Sequence, residues 1–478
     1  MIVEQRRTDE SDPIVTLPTN RSTRDELEAA MLALESAGVA LLVGTALDYA
    51  GVTRSKGVPV RRLAAFHETG MGASPTWVVF CSDNGIAFTP SIGVVGDLRL
   101  RIDSSQVRQI DEGLAWGPTD YYNQDGTLSE SCARGRLAAV VESAAALGLA
   151  PLMGTELEFT LTTRDGQELP KTAWSAYGMS AVIRNREFLV DLTASLEKAG
   201  VWPEQIHAEY GVDQFEVSLA PASPVAMADA SILARIVIGI VAERHDMAVS
   251  FSPLPWITRS GNGAHLHLSL SRDGAGLFGG GDGPHGMTAE GGSAIAGILA
   301  ALPELLGVYA GSAISAQRLK PGSWSGASAC WGLENREAAL RFLAGTLGNP
   351  HGANIELKIV DPSANIYIAA AALLGSALHG VTHSLPLPAE VSTDPASVGA
   401  SSVGSAGVDS ASGSDPAVLA LPADQKSILD ALEQSALAVE ILGAGIVEGV
   451  VAVRRHEQQV FADASPEEIA AALRFAWS

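Results

Sequence analysis

Residues 154–161 read GTELEFTL, and their alternation is typical of a β-strand. The three apolar side chains fall on one face, whereas Glu156 and Glu158 share the other. Two unpaired carboxylates on one face repel each other, so burying them is costly unless one is protonated or a cation lies nearby. A solvated strand edge is the commoner explanation for a lone Glu-x-Glu pair. The rest of the chain must therefore decide between a solvated face and a cation site.

The composition indicates a protein that binds neither nucleic acid nor an anionic membrane. The 478 residues include 54 acidic and 31 basic side chains, for a formal net charge of −23. The three cysteines are far apart and lack Cys-x-x-Cys spacing, which is typical of reduced thiols rather than of disulfides or a zinc site. The N-terminus lacks the apolar core of a signal peptide, and no uninterrupted apolar run reaches membrane-spanning length. These features predict a soluble, cytoplasmic protein without a transmembrane helix.

The chain divides into two predicted domains. Residues 1–22 are polar and are expected to form a disordered tail. Residues 23–115 are expected to form a small, mostly β domain, with strands at VALLVG, VPVRRLAAF, PTWVVFCSD and GDLRLRID. The turn-rich segment 116–131 is expected to be a linker into a larger α/β region, 116–478. Within this region, residues 395–416 are rich in Ser, Gly and Ala and predict a low-complexity surface insert.

Further predicted strands also carry ionisable side chains in apolar surroundings. They are IHAEY (206–210) with Glu209, QFEVSLA (214–220) with Glu216, the strand that follows a Gly turn within RSGNGAHLHLSL (259–270) with His265 and His267, and ANIELKIVD (353–361) with Glu356. One such group is more often a hydrogen-bonded core residue than a metal ligand. Carboxylate oxygens suit Mg²⁺ or Mn²⁺, and Mn²⁺ also accepts an imidazole nitrogen. Five glutamates and one histidine therefore suggest a two-metal site, with separately satisfied polar groups as the alternative.

Basic residues offer a second element of a phosphate site. The chain has neither a Walker A motif nor a strand–Gly-x-Gly-x-x-Gly–helix fingerprint, so a nucleotide must be held in another way. Four basic side chains lie in or just after a loop rich in Gly, Pro and Ser: Arg318, Lys320, Arg336 and Arg341. Arginines beside metal ions neutralise a phosphoryl group during transfer. The alternative is that each is an ordinary surface residue.

Five motifs in this order resemble the glutamine synthetase superfamily of ATP-dependent carboxylate–amine ligases. They are GTELEFTL, HAEYGVDQFEV, GNGAHLHLSL, RLKPGSWSGASACWGLENREAALR and NIELKIVDPSANIYIAAAALL. The resemblance implies an α+β fold, in which a small N-terminal β-grasp domain precedes a catalytic domain with a curved antiparallel sheet flanked by helices. It also implies ATP as co-substrate and two or more Mg²⁺ or Mn²⁺ ions per active site.

The resemblance assigns a role to each matching residue. One metal ion is expected at Glu158, Glu209 and Glu216, and the other at Glu156, His265 and Glu356. Three residues match positions at the nucleotide and its phosphates: His267, Ser269 and Arg341. Five match positions at the amino-acid substrate or the transferred phosphate: Ser260, Gly261, Arg318, Lys358 and Arg336. Under these assignments the Glu156–Glu158 pair lies between two cations rather than in water.

Trp324 marks a departure from the family pattern. Glutamine synthetases carry a glutamate here that helps to deprotonate ammonium, whereas this loop reads PGSWSGA. Tryptophan cannot deprotonate ammonium, but it offers an apolar and cation–π surface to an organic amine.

Asp83 matches the aspartate that a neighbouring subunit contributes to the ammonium site. Lys358 and Ser260 replace residues that are usually arginine and asparagine, which leaves the identity of the acyl donor open.

The matches predict a γ-glutamyl–amine ligase, closest in character to γ-glutamylpolyamine and γ-glutamylethanolamide ligases. ATP would phosphorylate the γ-carboxylate of glutamate, and an organic primary amine would then attack the acyl phosphate. One alternative is an ordinary glutamine synthetase that uses ammonium. Another is a non-catalytic ring component, although a scaffold has no reason to keep all six metal ligands. The resemblance further implies a homododecamer of two hexameric rings.

Overall fold

The structure, a computed structural model, describes residues 22–170, 174–398, 418–419 and 421–478. The predicted tail except residue 22, and the predicted insert except residues 395–398, lie outside these residues. The described chain forms fifteen strands: β1 (Leu41–Leu47), β2 (Thr53–Pro59), β3 (Met71–Ala73), β4 (Leu98–Ile102), β5 (Arg108–Asp111), β6 (Leu114–Tyr122), β7 (Ala150–Thr163), β8 (Pro203–Ala208), β9 (Gln214–Ala222), β10 (Met247–Ser250), β11 (Leu266–Arg272), β12 (Ala275–Gly276), β13 (Ser328–Leu333), β14 (Ala338–Leu343) and β15 (Asn354–Leu357). It also forms thirteen α-helices: α1 (Arg24–Ser36), α2 (Leu63–Glu68), α3 (Ala133–Ala146), α4 (Met179–Arg184), α5 (Arg186–Lys198), α6 (Pro224–Arg244), α7 (Ala289–Tyr309), α8 (Ser315–Arg318), α9 (Ile366–Thr382), α10 (Gln425–Gln434), α11 (Ala436–Leu442), α12 (Ala444–Val460) and α13 (Pro466–Leu473).

Nine strands form the sheet that carries most of the predicted site residues. Their order is β13-β14-β15-β11-β7-β9-β8, with β10 paired to β7 and β12 paired to β11. The β13–β14 pair is parallel, and the other pairs of this sheet are antiparallel. Leu157, Phe159 and Leu161 of β7 are at most 2% exposed, so the apolar face of the strand packs into the core. The mixed sheet and its helices confirm the α+β prediction.

The predicted linker at 116–131 is wrong, because its first half is a strand. Through residues 114–118, β6 pairs with β1 and β5, and through residues 119–122 it pairs with β4. It thus joins a six-stranded N-terminal sheet of order β2-β1-β6-β4-β3, with β5 beside β6. Pro118 lies where β6 passes from one set of partners to the other, and such a position tolerates the missing N–H donor. The boundary predicted after residue 115 therefore cuts through a strand.

Two other N-terminal segments contain helices where strands were predicted. VPVRRLAAF (58–66) leaves β2 at Pro59 and continues through a 3₁₀ turn, Val60–Arg62, into α2. PTWVVFCSD (75–83) starts as a 3₁₀ helix that Ser74 caps. Short apolar runs do not distinguish a buried helical turn from a strand, which explains both errors.

A buried ion-pair network connects the N-terminal sheet to the helices. Arg134 on α3 donates to Asp103 at 2.9 Å, to Asp120 on β6 at 2.8 Å and to Asp229 on α6 at 2.9 Å. The hydroxyl of Tyr367 on α9 also donates to Asp229, at 2.6 Å. The Arg134 side chain is only 12% exposed. One guanidinium therefore balances three largely buried carboxylates, and the contact between these elements depends on it.

Two helices, α6 and α7, are long and apolar enough to span a membrane by length and composition alone. Within their most apolar windows, 67% and 83% of the residues are buried inside the protein. The sequence prediction relied on uninterrupted apolar runs, and Arg235 and Glu304 interrupt these two helices. The apolar surfaces of both helices are largely used in internal packing.

Residues near the C-terminus pack against the N-terminal part of the chain. The indole N–H of Trp477 donates to the carbonyl of Ala50 at 2.8 Å. Arg454 on α12 donates to the same carbonyl at 3.3 Å and to that of Ser363 at 2.7 Å. Since Trp477 is only 3% exposed, the contact is part of the core.

Candidate active site

Antiparallel pairing brings four ionisable side chains together on the nine-stranded sheet. Glu158 on β7 lies opposite Glu216 on β9, and His267 on β11 lies opposite Glu356 on β15. The strands β7 and β11 are themselves paired, which joins the two pairs. Directly opposed side chains of antiparallel strands lie close together. The strand register therefore brings together residues that are far apart in the sequence.

Glu209 and His265 join this group from the ends of strands. The strand predicted over 206–210 ends earlier, because β8 stops at Ala208 and Glu209 lies in the turn before β9. The Glu209 N–H still donates to the Gln214 carbonyl at 2.9 Å, so the hairpin pairing extends through one irregular pair. The strand predicted after the Gly turn begins at Leu266, so His265, expected within it, immediately precedes β11.

The side chains form one contiguous cluster. Three groups have potential ligand atoms within 4.8 Å of one another: Glu156, Glu216 and His265; Glu156, His267 and Glu356; and His207, Glu209 and Glu216. His265 lies at the centre, because its Nδ1 is 2.9 Å from a Glu156 oxygen and 3.5 Å from a Glu356 oxygen. Its Nε2 lies 3.7 Å from Glu158. All six residues predicted as metal ligands therefore lie in this carboxylate cluster.

Burial and repulsion control the protonation of the cluster. Burial, and next the charge of Glu156, raises the pKa of Glu216 to about 10. Burial also opposes the ionisation of Glu356, but Lys358 and His265 lower the pKa of Glu356 to about 2. Glu216 therefore keeps a proton at neutral pH, whereas Glu356 is ionised.

The donor set fits hard divalent cations. Five carboxylates converge with imidazole groups, and burial together with repulsion among the carboxylates raises the pKa of Glu216. Mg²⁺ and Mn²⁺ prefer such oxygen donors, and a bound cation would relieve the repulsion. The division of the ligands between two ions stays a prediction.

Basic residues line the edge of the cluster beside β14 and β15. Lys358 Nζ donates to one Glu356 oxygen at 2.7 Å, and Arg341 Nη1 donates to the other at 3.1 Å. Such partners offset much of the free-energy cost of burying a carboxylate. The positive charges at Lys358 and Arg341 therefore adjoin the acidic cluster directly.

Arg318 is buried beside the Nε2 atom of His265. Its guanidinium donates to the carbonyls of Lys358 and Ile359 at 3.2 Å, and its Nη2 lies 3.5 Å from His265 Nε2. Gly261 packs on the Arg318 stem, since a Cβ on this glycine would lie 2.9 Å from Arg318 Cγ. These contacts fix the orientation of the guanidinium.

Comparison with known proteins identifies this arrangement. The family model described as the glutamine synthetase catalytic domain matches residues 130–471. The chain belongs to the glutamine synthetase family. Enzymes of this family use ATP and divalent cations, and this member is an ATP-dependent ligase that forms carbon–nitrogen bonds.

The relatives of this glutamine synthetase family member include a γ-glutamylpolyamine synthetase as well as glutamine synthetases. The γ-glutamylpolyamine synthetase GlnA3 of Streptomyces coelicolor is 37% identical over 475 residues, which cover 98% of this chain and 99% of that protein. A glutamine synthetase of Pyrococcus horikoshii is 27% identical over 423 residues, or 87% of this chain and 89% of that one. The crystal structure of a novel glutamine synthase homologue matches with a TM-score of 0.80 at 30% identity, over 91% of this chain and 98% of that chain. Ligand-free GmaS matches with a TM-score of 0.77 at 23% identity, over 91% of this chain and 96% of that chain, which shows the shared fold.

Trp324 lies on a loop that packs against the basic edge of the cluster. Trp324 has φ 54° and is 53% exposed, and the Arg336 guanidinium lies 5.7 Å from the centre of its ring. The Glu337 carboxylate accepts hydrogen bonds from the N–H groups of Trp324 at 2.8 Å and Gly322 at 3.1 Å. A Cβ on Gly326 would lie 2.9 Å from Lys358 Cβ, so the loop packs against Lys358.

The remaining predicted residues lie at different distances from the cluster. His267 Nε2 is 3.3 Å from Glu156, so this histidine belongs to the cluster as well as to the predicted nucleotide side. Ser269 Oγ donates to the Ala353 carbonyl at 3.3 Å. Ser260 packs near Gly211, where a Cβ would lie 3.1 Å from Ser260 Cβ. Asp83, expected to act at a neighbouring subunit's site, does not contact the cluster within the described chain, and its carboxylate pairs with His456 at 3.0 Å.

Gln214 organises the cluster, although sequence reasoning missed it. Its Nε2 donates to Glu158 at 3.0 Å, to the Gly261 carbonyl at 2.8 Å and to Asn262 Oδ1 at 3.0 Å. The Gly263 N–H donates to the same Glu158 oxygen at 2.9 Å. The glutamine of the motif HAEYGVDQFEV was the available signal.

His207 and Tyr177 were also missed as site residues. His207 Nε2 lies 2.9 Å from Glu209 and 3.7 Å from Glu216. The hydrogen bond to Glu209 raises the pKa of His207. The Tyr177 ring stacks on His207 at 5.9 Å, with the residue 54% exposed at φ 56°. His207 shares a strand face with Glu209 in the sequence pattern, whereas Tyr177 belongs to a turn that no periodicity marks.

Cation binding is expected to release a proton. Because Glu216 has a pKa of about 10 in the cation-free chain, its carboxyl must lose a proton before it can act as a ligand at neutral pH. A rise in pH from neutral removes this cost, so the affinity for Mg²⁺ should increase by up to about tenfold per pH unit. Calorimetry in two buffers of different ionisation enthalpy counts the released protons. Glu216→Gln should reduce the number of protons released, and a wild-type affinity that does not change with pH would contradict the prediction.

Proposed function

We propose that the protein is a γ-glutamyl–amine ligase whose acceptor is an organic primary amine of the polyamine class. The observation that carries the proposal is the exposed Trp324 on a loop that packs against Lys358, which itself bonds Glu356 of the carboxylate cluster. An indole face attracts an organic cation through cation–π and apolar contacts, and it cannot take a proton from ammonium. The net charge of −23 and the name of the Streptomyces relative support a polycationic acceptor.

The residues of the cluster and of its basic edge have different roles in the proposed reaction. Two divalent cations held by the five glutamates and His265 would offset the charge of the ATP phosphates and of the transferring phosphoryl group. Arg341 and Lys358 bring positive charge to the same edge through their contacts with Glu356. Arg318, fixed by two backbone carbonyls, is suited to hold the α-carboxylate of glutamate.

The order of steps follows from the chemistry of a carboxylate. A carboxylate is a poor electrophile, so its γ-oxygen is first phosphorylated by ATP to make it a leaving group. Arg336 is proposed to neutralise the transferred phosphate. The amine, as its free base, then attacks the acyl carbon, phosphate departs with the C–O bonding electrons, and the nitrogen loses a proton to water or to the departing phosphate to give the γ-glutamylamide. Glutamate as acyl donor is part of this proposal, because Lys358 preserves the positive charge expected near the γ-carboxylate.

The proposal is tested by phosphate release with ATP, Mg²⁺ and glutamate across a panel of amines. The panel contains ammonium, methylamine, ethanolamine, putrescine, spermine and aniline, and each product is identified by mass. Putrescine or spermine is expected to give the highest kcat/KM, with a γ-glutamylamide as product. Preference for ammonium would instead identify an ordinary glutamine synthetase, and the absence of metal-dependent ATP turnover would indicate a non-catalytic ring component.

Removing the indole ring should change the choice of acceptor. Trp324→Ala is expected to lower kcat/KM for the preferred organic amine by about 10–30-fold, because a cation–π contact contributes up to about 2 kcal/mol. The value for ammonium should change little. Trp202→Ala is a matched control, because Trp202 is 61% exposed and lies just before β8. An equal loss with both acceptors would show that Trp324 supports the loop rather than the amine.

We also propose that residues 23–122 form a β-grasp domain and that the remaining described chain forms the catalytic domain. We propose further that the protein is cytoplasmic and assembles as a homododecamer of two hexameric rings. The exposed apolar side chains of Phe88, Val94 and Val95, at 55%, 79% and 87%, support an intersubunit contact on the N-terminal domain. Light scattering tests the assembly, and a stable monomer would contradict it.

A further inference from the structure

We propose that Cys81, Asp83 and His456 form a binding site for a thiophilic divalent cation such as Zn²⁺. One potential ligand atom of each residue lies within 4.8 Å of those of the other two. Ligands of one tetrahedral zinc ion lie about 3.2–3.7 Å apart, and His456 Nε2 is already 3.0 Å from Asp83 Oδ2. A thiolate, an imidazole and a carboxylate are ligands that zinc accepts. In the described chain, no hydrogen bond or ion pair joins these three residues to the carboxylate cluster.

The turn that carries two of these ligands is tightly constrained. The Cys81 N–H donates to the Gly85 carbonyl at 2.9 Å, and the Asn84 N–H donates to the Cys81 carbonyl at 2.9 Å. Asn84 has φ 66°, which reverses the chain between these bonds. Asp83 Oδ1 accepts from the Gly85 N–H at 2.8 Å. The turn therefore holds the thiol and the carboxylate in fixed relative positions.

Glycine at position 85 is needed for the imidazole to reach this turn. A Cβ on Gly85 would lie 2.5 Å from His456 Nε2 and 2.9 Å from Asp83 Oδ1. Both atoms are potential ligand atoms, so the backbone is shaped around the point where they meet. A larger side chain at this position would separate the histidine from the carboxylate.

The proposed site is open to solvent at Asp83 and His456. The side chains of Asp83 and His456 are 35% and 28% exposed, while Cys81 is buried beneath them. Arg54 donates to the carbonyl of Cys81 and to the side chain of Asn84 rather than to the Asp83 carboxylate. A cation would enter from solvent, displace the thiol proton to water and complete its coordination with a water molecule.

A bound cation would link two distant parts of the chain. Cys81 and Asp83 follow the 3₁₀ helix Pro75–Val79 of the N-terminal region, and His456 lies on α12. His456 is more than 370 positions away from Cys81 and Asp83 in the sequence. Cysteine spacing alone therefore predicts no zinc site. The cation would also engage Asp83, the residue that the family resemblance places at a neighbouring acceptor site. This last consequence rests on the proposed function, whereas the binding site does not.

Cobalt(II) titration of the full-length protein tests the site. Mg²⁺ is kept in large excess to occupy the carboxylate cluster, and Co²⁺ then reports the thiol ligand through thiolate-to-cobalt charge-transfer absorption. We expect this absorption to saturate at one Co²⁺ per chain and to disappear when Zn²⁺ is added. The measurement is independent of turnover, so it is separate from the test of the proposed function.

Matched variants identify the ligands. Cys81→Ser and His456→Gln are expected to lose the absorption, whereas Cys330→Ser should retain it, because Cys330 is a buried cysteine packed against apolar residues. Circular dichroism checks that each variant folds, and the partly exposed His456→Gln decides the question if Cys81→Ser does not fold. A wild-type protein without the absorption would overturn the proposal. Absorption that survives both His456→Gln and Asp83→Asn would overturn it equally.

Discussion

Replacing Glu356 by glutamine is expected to reduce ATP-dependent turnover by about 1000-fold. The Glu356 side chain is 1% exposed, and its oxygens accept from Lys358 and Arg341 while facing His265. Glutamine keeps the shape of the side chain but removes the negative charge that these three groups share. Loss of cation-dependent stabilisation of several kcal/mol corresponds to this fall in rate. Initial rates of phosphate release at saturating ATP, glutamate and amine measure the effect.

A matched variant separates loss of the site from loss of the fold. Glu457 is also 1% exposed and pairs with Arg454 at 2.7 Å, but it lies on α12 outside the carboxylate cluster. Glu457→Gln should lower the melting temperature while leaving cation-dependent turnover of the folded protein largely intact. Glu356→Gln should also lose the stabilisation that Mg²⁺ gives to the wild type. Turnover of Glu356→Gln within tenfold of the wild type would contradict the assignment of Glu356 as a metal ligand.

Replacing Arg134 by alanine is expected to lower the free energy of unfolding by about 3–5 kcal/mol. The change leaves Asp103, Asp120 and Asp229 without their shared cation, and each is largely buried. Burial already raises the pKa of Asp120 despite the opposing charge of Arg134. Without the arginine the carboxyls should hold protons more tightly, so acid should diminish the destabilisation and alkali should increase it. Thermal or urea unfolding at several pH values measures both effects.

An exposed ion pair provides the control for Arg134. Arg164 pairs with Glu243 and Asp246, and the three side chains are between 65% and 85% exposed. Arg164→Ala should change the free energy of unfolding by less than about 1 kcal/mol. Equal destabilisation by the two substitutions, or a loss at Arg134 that does not depend on pH, would show that the buried network is not the cause.

The candidate site could be predicted from the sequence to the extent that it lies on regular strands. GTELEFTL alternates cleanly, so Glu156 and Glu158 were recognised as neighbours on one face, and β7 shows that arrangement. Glu209 was placed inside a strand because alternation does not reveal where β8 ends. The association of strands into a site came from the family resemblance, since periodicity does not determine which strands pair. Tyr177 was missed for a related reason, because turns at the edge of a site have no repeating pattern.

The errors in the N-terminal region have a different cause. Gly117 and Pro118 read as turn residues, yet they lie within β6, where the strand exchanges one partner for another. Propensity describes a residue in an average strand, and it does not describe a strand that is shared between two groups of partners. The helical turns at Val60–Arg62 and Pro75–Val79 lie in short apolar segments. Such segments fit a strand as well as a buried helical turn, and only tertiary packing distinguishes the two.

The bonds of Arg454 and Trp477 to the Ala50 carbonyl have a consequence for synthesis of the protein in the cell. These donors are separated from Ala50 by 404 and 427 residues. At about 5–20 residues per second, the ribosome needs roughly 20–80 s to span that distance. Throughout this interval the nascent N-terminal sheet lacks the segment that later covers Ala50, and its apolar surface stays accessible to chaperones and to other nascent chains. The contacts at Ala50 can therefore form only after residue 477 has been synthesised, however early the first sheet forms.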